Sequence, residues 1–259
     1  MADQGEASGG SKEPVRFTRI SSSTSPSLLR IKRDIADFNA DPPPGIFMAP
    51  HENDITSLDA IAMGAANTPY EGGFFHFYLE CTSEYPLKPP KALFMTTDAG
   101  RLKFNEHLYR DGSICLSTLN TFGQTWSPAL SLSSLLLSIQ SLLCELPKFA
   151  DEERSKQFEA VIRHETMRVA VCDTVEACFA EKPPFPPALK EKIVEKFAEL
   201  YTTYESEVQA KLHLSGTQME DNWLGNKVTC QYEALLARLR DLKEKIEKKD
   251  EAAAANAEQ

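Results

Sequence analysis

Large apolar side chains first recur at helical spacing on one stripe, formed by Leu28, Ile31, Ile35 and Phe38. Ser25-Pro26 precedes the stripe, and a serine cap followed by proline at the first helical position favours a helix start. The prolines at 42–44 cannot continue a helix. The pattern therefore predicts one amphipathic helix that ends before Asp41.

After this helix the apolar period changes from that of a helix to that of a strand. In the segment 73–81 every second residue is apolar: Phe75, Phe77, Leu79 and Cys81. Similar short segments occupy about 46–49, 55–63 and 92–96. We therefore predict a four-stranded antiparallel meander.

A long irregular segment follows, from Asp98 to Thr125, and it contains Cys115 between two apolar residues. A structureless stretch of this length inside a compact domain is usually functional. Apolar residues then recur at helical spacing from Ser127-Pro128 to Leu146, on a face broad enough for a buried central helix. Three more helical stretches are predicted at about 155–179, 188–213 and 230–246.

The two ends of the chain lack large apolar side chains. Residues 1–25 are rich in Gly, Ser, Lys and Glu and cannot offset the entropy of ordering, so we predict a disordered arm. Residues 249–259 are charged and alanine-rich, and we predict a flexible tail, either frayed helix or disorder. A helix, then strands, then further helices indicate the α+β fold class.

Composition narrows the classes of function. The chain has 38 acidic and 28 basic residues and a net charge of −10, which disfavours non-specific binding to nucleic acid. No apolar run approaches the roughly 20 residues that span a membrane, and the start lacks a signal-peptide pattern. We expect no nucleic acid and no membrane as partner. Six cysteines without a CxxC pair indicate reduced thiols, and hence a cytoplasmic and nuclear protein.

Three separate segments of the chain resemble the ubiquitin-conjugating enzymes. They are FNEHLYRDGSICLSTL (104–119), YPLKPP (85–90) and WSPA (126–129). Within that family the chain is most similar to the Z type, in TPYEGGFF (68–75), MTT (95–97), RHETMRVAVCD (163–173) and LHL (212–214). The resemblance implies the ubiquitin-conjugating (UBC) fold, with a catalytic core at 26–150 and a helical extension at 151–248 packed on it.

The resemblance assigns Cys115 as the acceptor of ubiquitin. In the family such a cysteine takes the ubiquitin carboxyl terminus from an activating enzyme as a thioester and passes it to lysine of protein substrates, usually with a ligase. A thiolate is nucleophilic near neutral pH, and a thioester can still acylate an amine. From the apolar neighbours of Cys115 alone, a buried structural thiol would be the better interpretation.

The family's His-Pro-Asn run reads Asn105-Glu106-His107 here, so a histidine stands where an asparagine is expected. In the family that asparagine donates a hydrogen bond to the tetrahedral oxyanion or supports the loop. A ring nitrogen of His107 could donate the same bond, or His107 could only hold the loop through a backbone hydrogen bond. Asn105 and His107 are both candidate catalytic residues.

Transfer to lysine requires a neutral amine, whereas a lysine pKa of about 10.4 keeps nearly all amines protonated at pH 7. In the family an acidic or polar residue in the loop after the central helix orients and deprotonates the amine. Asp151 is the candidate at that position, with Glu152 second. Alternatively, these acids only favour the start of the next helix.

The resemblance also implies a surface for RING and HECT ligases on the first helix and two loops. The matching residues are Arg30, Leu87, Ser127, Pro128 and Ala129. Leu87 stands where relatives often carry phenylalanine, so a smaller apolar anchor and a narrower partner set are expected. Alternatively, Leu87 is half-buried against its proline neighbours.

The Z-type resemblance implies charging by the second, non-classical ubiquitin-activating enzyme, with ubiquitin or a ubiquitin-like modifier as cargo. The loop 120–125 either tunes that choice or is tolerated length. No nucleotide-binding motif occurs, so ATP-dependent activation would take place on the activating enzyme. His164-Glu165 lacks the second histidine of HExxH because residue 168 is arginine, and we expect no metal and no cofactor.

Two other classes of function stay open. The substitutions at 105–107 could make the chain a catalytically inactive binding module with the UBC fold, although the retained Cys115 argues against this. A histidine has an unperturbed pKa of about 6.5, so His107 could act as a base for acceptors other than lysine, such as an amino-terminal amine or a hydroxyl.

Overall fold

The structure is a computed structural model that describes residues 25–123, 125–144, 147, 149 and 151–257. The predicted arm, apart from Ser25, lies outside the described residues, as do residues 258 and 259. Helix α1 spans Pro26–Ala40 and begins where predicted. The Ser25 hydroxyl accepts the Leu28 N–H over 3.2 Å, which satisfies one of the backbone donors left free at a helix start.

Four strands form one antiparallel sheet, ordered as they occur along the chain. They are β1 (Ile46–His51), β2 (Asp54–Met63), β3 (Phe74–Glu80) and β4 (Lys91–Phe94). The predicted meander is confirmed. The register aligns Met48, Ala60, Phe77 and Phe94 in one row across the sheet.

The central helix α2 spans Leu132–Ser141, so its predicted start at Ser127-Pro128 was wrong. Ser131 is the cap, because its hydroxyl accepts the Ser134 N–H over 3.2 Å. Ser127 instead begins a turn, closed by the Leu130 N–H donating to the Ser127 carbonyl over 2.9 Å. Leu146, at the predicted end of this helix, lies outside the described residues.

The chain after α2 is mainly helical, as predicted. Its elements are α3 (Glu152–Glu165), α4 (Thr174–Ala177), α5 (Pro187–Ala210), β5 (Gln218–Asp221), β6 (Asn226–Thr229) and α6 (Tyr232–Ala257). A π-helical stretch, Thr166–Asp173, joins α3 to α4, where the spacing predicted one regular helix. The β5–β6 hairpin was not predicted, because strands of four residues are too short to show an alternating pattern. Helix α6 continues through most of the predicted tail.

Both faces of the sheet are covered, which explains why apolar residues occupy both alternating sets of β3. Phe75, Phe77 and Leu79 face a core completed by α1 and α2. Phe74 and Ile61 point the other way and pack in a second cluster with residues of α5 and α6. The sheet is therefore the middle layer of a helix–sheet–helix arrangement. Among the described residues, no helix is both long and apolar enough to cross a membrane.

Glycines between β2 and β3 let the C-terminal part approach the sheet closely. The Tyr204 hydroxyl of α5 donates to the Gly72 carbonyl over 2.7 Å. A Cβ on Gly73 would lie 2.7 Å from Thr166 Cγ2, inside the usual contact distance. The two halves of the chain fit together here because neither glycine carries a side chain.

Candidate active site

Cys115 lies in the irregular segment after β4 and is partly exposed to solvent. Its N–H donates to the His107 carbonyl over 2.8 Å, next to an isolated β-bridge between Leu108 and Ile114. The segment from 108 to 114 thus folds back on itself and ends at the thiol. A backbone held at this point fixes where the sulfur can lie.

The other cysteines divide by burial. Cys81, Cys172, Cys178 and Cys230 are buried. Burial raises the pKa of the thiols of Cys81, Cys172 and Cys178 to about 12, which keeps them protonated at neutral pH. Solvent reaches Cys115 and Cys144, and only Cys115 lies in the irregular segment. The interpretation of Cys115 as a buried structural thiol does not fit this geometry.

Thr121 clamps the backbone on both sides of Cys115. Its Oγ1 accepts the Leu116 N–H over 2.7 Å and lies 2.8 Å from the Ile114 carbonyl, to which it can donate. The next turn is held by Asn120, whose Oδ1 accepts the N–H of Trp126 over 3.1 Å. Sequence reasoning missed both residues, because a loop without periodicity gives no signal for which polar side chain satisfies which backbone group.

Asn105 is buried, and its amide bonds to the backbone and, over 3.4 Å, to the Tyr70 hydroxyl. Its Nδ2 donates to the Leu142 carbonyl over 2.9 Å, and its Oδ1 accepts the His107 N–H over 2.9 Å. In this structure Asn105 supports the loop from inside. Its direct participation in catalysis stays a prediction.

His107 holds the loop through its main chain, as one of its two interpretations proposed. Its N–H donates to Asn105 and its carbonyl accepts from Cys115. The ring is half-exposed, with Nε2 3.7 Å from the Glu106 carboxylate. A role of the ring at the oxyanion stays a prediction.

Asp151 is the N-cap of α3. Its Oδ1 accepts the Glu153 N–H over 3.0 Å, and the side chain is exposed. This is the helix-start arrangement that was its alternative interpretation. Its role in deprotonating an amine stays a prediction, as does that of Glu152.

The predicted ligase-binding residues lie on adjoining parts of the surface. The Arg30 guanidinium donates to the carbonyls of Pro128 and Leu130, each over 2.7 Å. Trp126 Nε1 donates to the Pro86 carbonyl over 2.8 Å, which joins the loop of Leu87 to the loop of Ser127, Pro128 and Ala129. Leu87 is 76% exposed, so the interpretation that it is half-buried does not hold.

Arg30 lies at the surface and also bonds a buried carboxylate. Its Nε donates to the buried Asp34 carboxylate over 2.8 Å, and the Tyr85 hydroxyl donates to the same carboxylate. Burial, together with the hydrogen bond to Asp34, raises the pKa of Tyr85, so its phenol stays a donor. The carbonyls that Arg30 binds belong to the turn before α2, which keeps that turn out of the helix.

Comparisons with known proteins identify this architecture. A family model described as "Ubiquitin-conjugating enzyme" matches residues 30–179. The chain belongs to the ubiquitin-conjugating enzyme family. The matched range extends beyond residue 150, where the catalytic core was expected to end, and includes α3, the π-helical stretch and α4.

The relatives place this ubiquitin-conjugating enzyme near the Z type. It is 42% identical to "Ubiquitin-conjugating enzyme E2 Z" of Danio rerio over 231 residues, which cover 86% of this chain and 69% of that protein. The Homo sapiens protein of the same name is 43% identical over 228 residues, covering 85% of this chain and 63% of its own length. The solved structure of human ubiquitin-conjugating enzyme E2 G1 is 26% identical, with a TM-score of 0.42, and covers 48% of this chain and 98% of that one.

Family membership has consequences at the level of the reaction. The ubiquitin-conjugating enzymes are transferases that work through a thioester intermediate, and the UBC fold of this chain is α+β as predicted. Membership also implies ubiquitin, an activating enzyme and ligases as partners. Among the residues that the structure describes, no three His, Cys, Asp or Glu side chains are grouped so as to hold a metal ion.

The π-helical stretch of this conjugating enzyme contacts the turn at Asp98, where the irregular segment 98–125 begins. This segment is called the active-site segment below because it contains the candidate nucleophile Cys115. Arg168 Nη2 donates to Asp98 over 2.6 Å and to the buried Glu165 over 2.5 Å. Burial alone would raise the pKa of Asp98, but hydrogen bonds from Arg101 and Arg168 outweigh it and hold that pKa below its ordinary value. Burial alone would also raise the pKa of Glu165, but hydrogen bonds from His164 and Arg168 hold that pKa below its ordinary value.

We predict that Asp98→Asn lowers the free energy of unfolding at pH 7 by about 1 to 3 kcal/mol, because Arg168 and Arg101 lose a charged partner. Folding lowers the pKa of Asp98, so its stabilisation is complete above the unfolded-state pKa of about 3.9 and is lost as the pH falls through the lower folded-state value. Urea denaturation from pH 7 to pH 2 measures the difference between variant and wild type. It should be constant down to about pH 5 and shrink below about pH 4.

Asp37→Asn is the matched control, because Asp37 is 65% exposed and its pair with Arg33 spans 3.6 Å. We expect its effect to stay within about 0.5 kcal/mol. An Asp98→Asn difference that persists unchanged to pH 2 would contradict the assignment.

Proposed function

We propose that Cys115 accepts the carboxyl terminus of ubiquitin from an activating enzyme and transfers it to lysine side chains of protein substrates. The observation that carries this proposal is the partly exposed thiol of Cys115, whose N–H is bonded to His107 and whose two neighbours are clamped by Thr121. A partly exposed thiol on an ordered backbone suits a nucleophile better than a buried one.

The proposed reaction has two acyl transfers. The Cys115 thiolate attacks the thioester carbonyl of the charged activating enzyme; a new C–S bond forms, the old one breaks, and the activating enzyme's thiolate leaves. A neutral lysine amine then attacks the same carbonyl carbon, a C–N bond forms, and the Cys115 thiolate leaves. The amine's proton passes to a base, for which Asp151 is the candidate. ATP is consumed earlier, on the activating enzyme.

The Z-type resemblance indicates which activating enzyme, modifier and ligases this chain works with. We propose the second ubiquitin-activating enzyme as donor, and ubiquitin or a ubiquitin-like modifier as cargo, with RING or HECT ligases assisting transfer. The Z-type similarity of the segments 163–173 and 212–214 supports this; the family model covers the first segment, and the second lies beyond it. We also propose that the protein works in cytoplasm and nucleus, because its six cysteines are all present as thiols, which is typical of a reducing compartment.

Incubation with ATP, ubiquitin and an activating enzyme should give an adduct that is visible on a non-reducing gel and lost on addition of thiol. We predict that Cys115→Ala abolishes this adduct. Cys144→Ser is the matched control, because Cys144 is also exposed but lies just after α2, outside the active-site segment. It should charge like wild type.

If the wild type forms no adduct with the classical activating enzyme and none with the second one, the proposal is overturned in favour of a binding module with the UBC fold. Discharge of the adduct onto free lysine, compared with threonine, tests the acceptor. Faster discharge onto threonine would replace lysine by a hydroxyl acceptor.

The ring of His107 can be tested separately from its main chain. Both loop-holding hydrogen bonds of His107 use backbone atoms, so an alanine keeps them. We predict that His107→Ala slows discharge onto lysine by roughly 100-fold or more, as loss of an oxyanion donor does elsewhere, and that His107→Asn restores much of the rate.

Glu106→Gln, which changes the carboxylate nearest the ring, serves as control and should have little effect. A His107→Ala rate equal to that of wild type would show that only the main chain of this residue matters.

The ligase surface has a test of its own. Leu87 is an exposed apolar side chain on a loop fixed by Trp126. We predict that Leu87→Ala weakens affinity for a productive ligase at least about 10-fold, as expected for loss of an apolar anchor, and leaves ligase-free discharge unchanged. Titration of ligase in a single-turnover discharge assay measures both.

Leu137→Ala is the control, because Leu137 is 47% exposed but belongs to α2. Equal losses in both variants would mean that Leu87 is no specific anchor.

A further inference from the structure

The β5–β6 hairpin contacts the active-site segment through a buried amide. Asn226, at the start of β6, is 3% exposed. Its Nδ2 donates to the Lys103 carbonyl over 2.7 Å, and its Oδ1 accepts the Lys103 N–H over 3.1 Å. The side chain thus pairs with both backbone groups of one residue, as a neighbouring strand would. Such a pairing fixes position as well as distance.

A second contact holds the tip of the same segment. Arg110 lies in the turn between Tyr109 and Ser113, which is closed by the Tyr109 N–H donating to the Ser113 carbonyl over 2.9 Å. Its Nη2 donates to the Leu224 carbonyl over 2.9 Å and lies 3.2 Å from Asn226 Oδ1. The hairpin therefore binds the segment at two places, at the backbone of Lys103 and at the side chain of Arg110.

The turn of the hairpin is itself held by hydrogen bonds and by burial. Asp221 is 1% exposed, and its carboxylate accepts the N–H groups of Trp223 over 2.8 Å and of Leu224 over 3.1 Å. Leu224 is buried in the same cluster as the sheet and α2. The turn between β5 and β6 is thus fixed at one end by hydrogen bonds and at the other by the core.

A short series of contacts leads from the hairpin to the thiol. Phe104, directly after Lys103, is fully buried. Asn105 follows, and its Oδ1 accepts the His107 N–H. The His107 carbonyl in turn accepts the Cys115 N–H. A shift at Lys103 would therefore be transmitted through the backbone and one buried amide to Cys115.

We propose that Asn226 and Arg110 are positioning residues for the acyl transfer at Cys115, and that the β5–β6 hairpin is a working part of the active site. The inference rests on the proposed thioester function of Cys115. Neither residue touches the reacting atoms; each acts by holding the segment that carries them. A displacement of about 1 Å at a reacting group can cost on the order of 100-fold in rate.

The test compares Asn226→Ala, Asn226→Asp and Arg110→Ala with wild type in the full chain. We expect kcat for charging by the activating enzyme to fall roughly 10- to 100-fold in Asn226→Ala, with the KM of this chain as that enzyme's substrate unchanged, because Asn226 is buried and offers that enzyme no surface to bind. Asn226→Asp keeps an acceptor for the Lys103 N–H but turns a second acceptor toward the Lys103 carbonyl and the buried Asp221 carboxylate, so its loss should be at least as large as that of Asn226→Ala. Arg110→Lys should recover part of what Arg110→Ala loses.

Hydrogen exchange supplies a readout independent of catalysis. In Asn226→Ala the backbone amides of residues 103–115 should exchange at least about 10-fold faster, while those of β2 and β3 keep their protection. Arg110→Ala is the milder change that keeps the test valid if Asn226→Ala does not fold, because Arg110 is partly exposed.

Lys227→Ala is the matched control, because Lys227 neighbours Asn226 on β6 but pairs on the exposed side with Glu220 over 3.0 Å. It should match wild type in both measurements. Folded Asn226 and Arg110 variants that charge at the wild-type rate would overturn the inference. A wild-type chain that forms no adduct would instead remove the proposed function, and exchange at 103–115 would still decide whether the hairpin holds the segment.

Discussion

The backbone of the segment between β4 and α2 must be hydrogen-bonded without a regular ladder, and the rest of the site depends on how this is done. Buried backbone N–H and C=O groups are costly when unpaired, so side chains supply their partners. Thr121 and Asn105 do this next to Cys115, and Arg30 does it for the turn before α2. Each of these side chains also joins two parts of the chain. The contacts that satisfy the backbone hydrogen bonds are consequently also the contacts that assemble the site.

The C-terminal helices are an integral layer of this conjugating enzyme. The second face of the sheet, with Ile61 and Phe74, is apolar and would be exposed without α5 and α6. The glycines before β3 allow the approach, because Thr166 and Tyr204 contact the backbone where side chains would otherwise lie. A sheet covered on both faces gives the active-site segment a fixed base.

Charge is used to connect the layers. Arg168 links Asp98, at the opening of the active-site segment, to Glu165 at the end of α3. Arg238 of α6 likewise bonds Glu176 over 2.7 Å and Asp173 over 2.5 Å. Burial of such pairs carries a desolvation cost, and their several hydrogen bonds offset it. Arg168 and Arg238 fix the relative position of the elements that they join, whereas apolar contacts alone would let those elements slide against each other.

The sequence by itself determined the elements whose signals are local. Apolar spacing predicted α1 and the meander, the Ser25-Pro26 pair predicted the helix start, and the segments 85–90, 104–119 and 126–129 together predicted the family. Tertiary structure alone decided where α2 begins: the sequence favours a start at Ser127-Pro128, but Arg30 binds carbonyls of that turn and Ser131 caps the helix. It also decided the partners of Thr121, Asn105 and Asn226, because a side-chain-to-backbone hydrogen bond between distant residues leaves no periodic trace in the sequence. The spacing of apolar residues shows which face of a helix or strand is buried. Which residues that face contacts, and which residues a loop contacts, is decided only when distant parts of the chain come together in the fold.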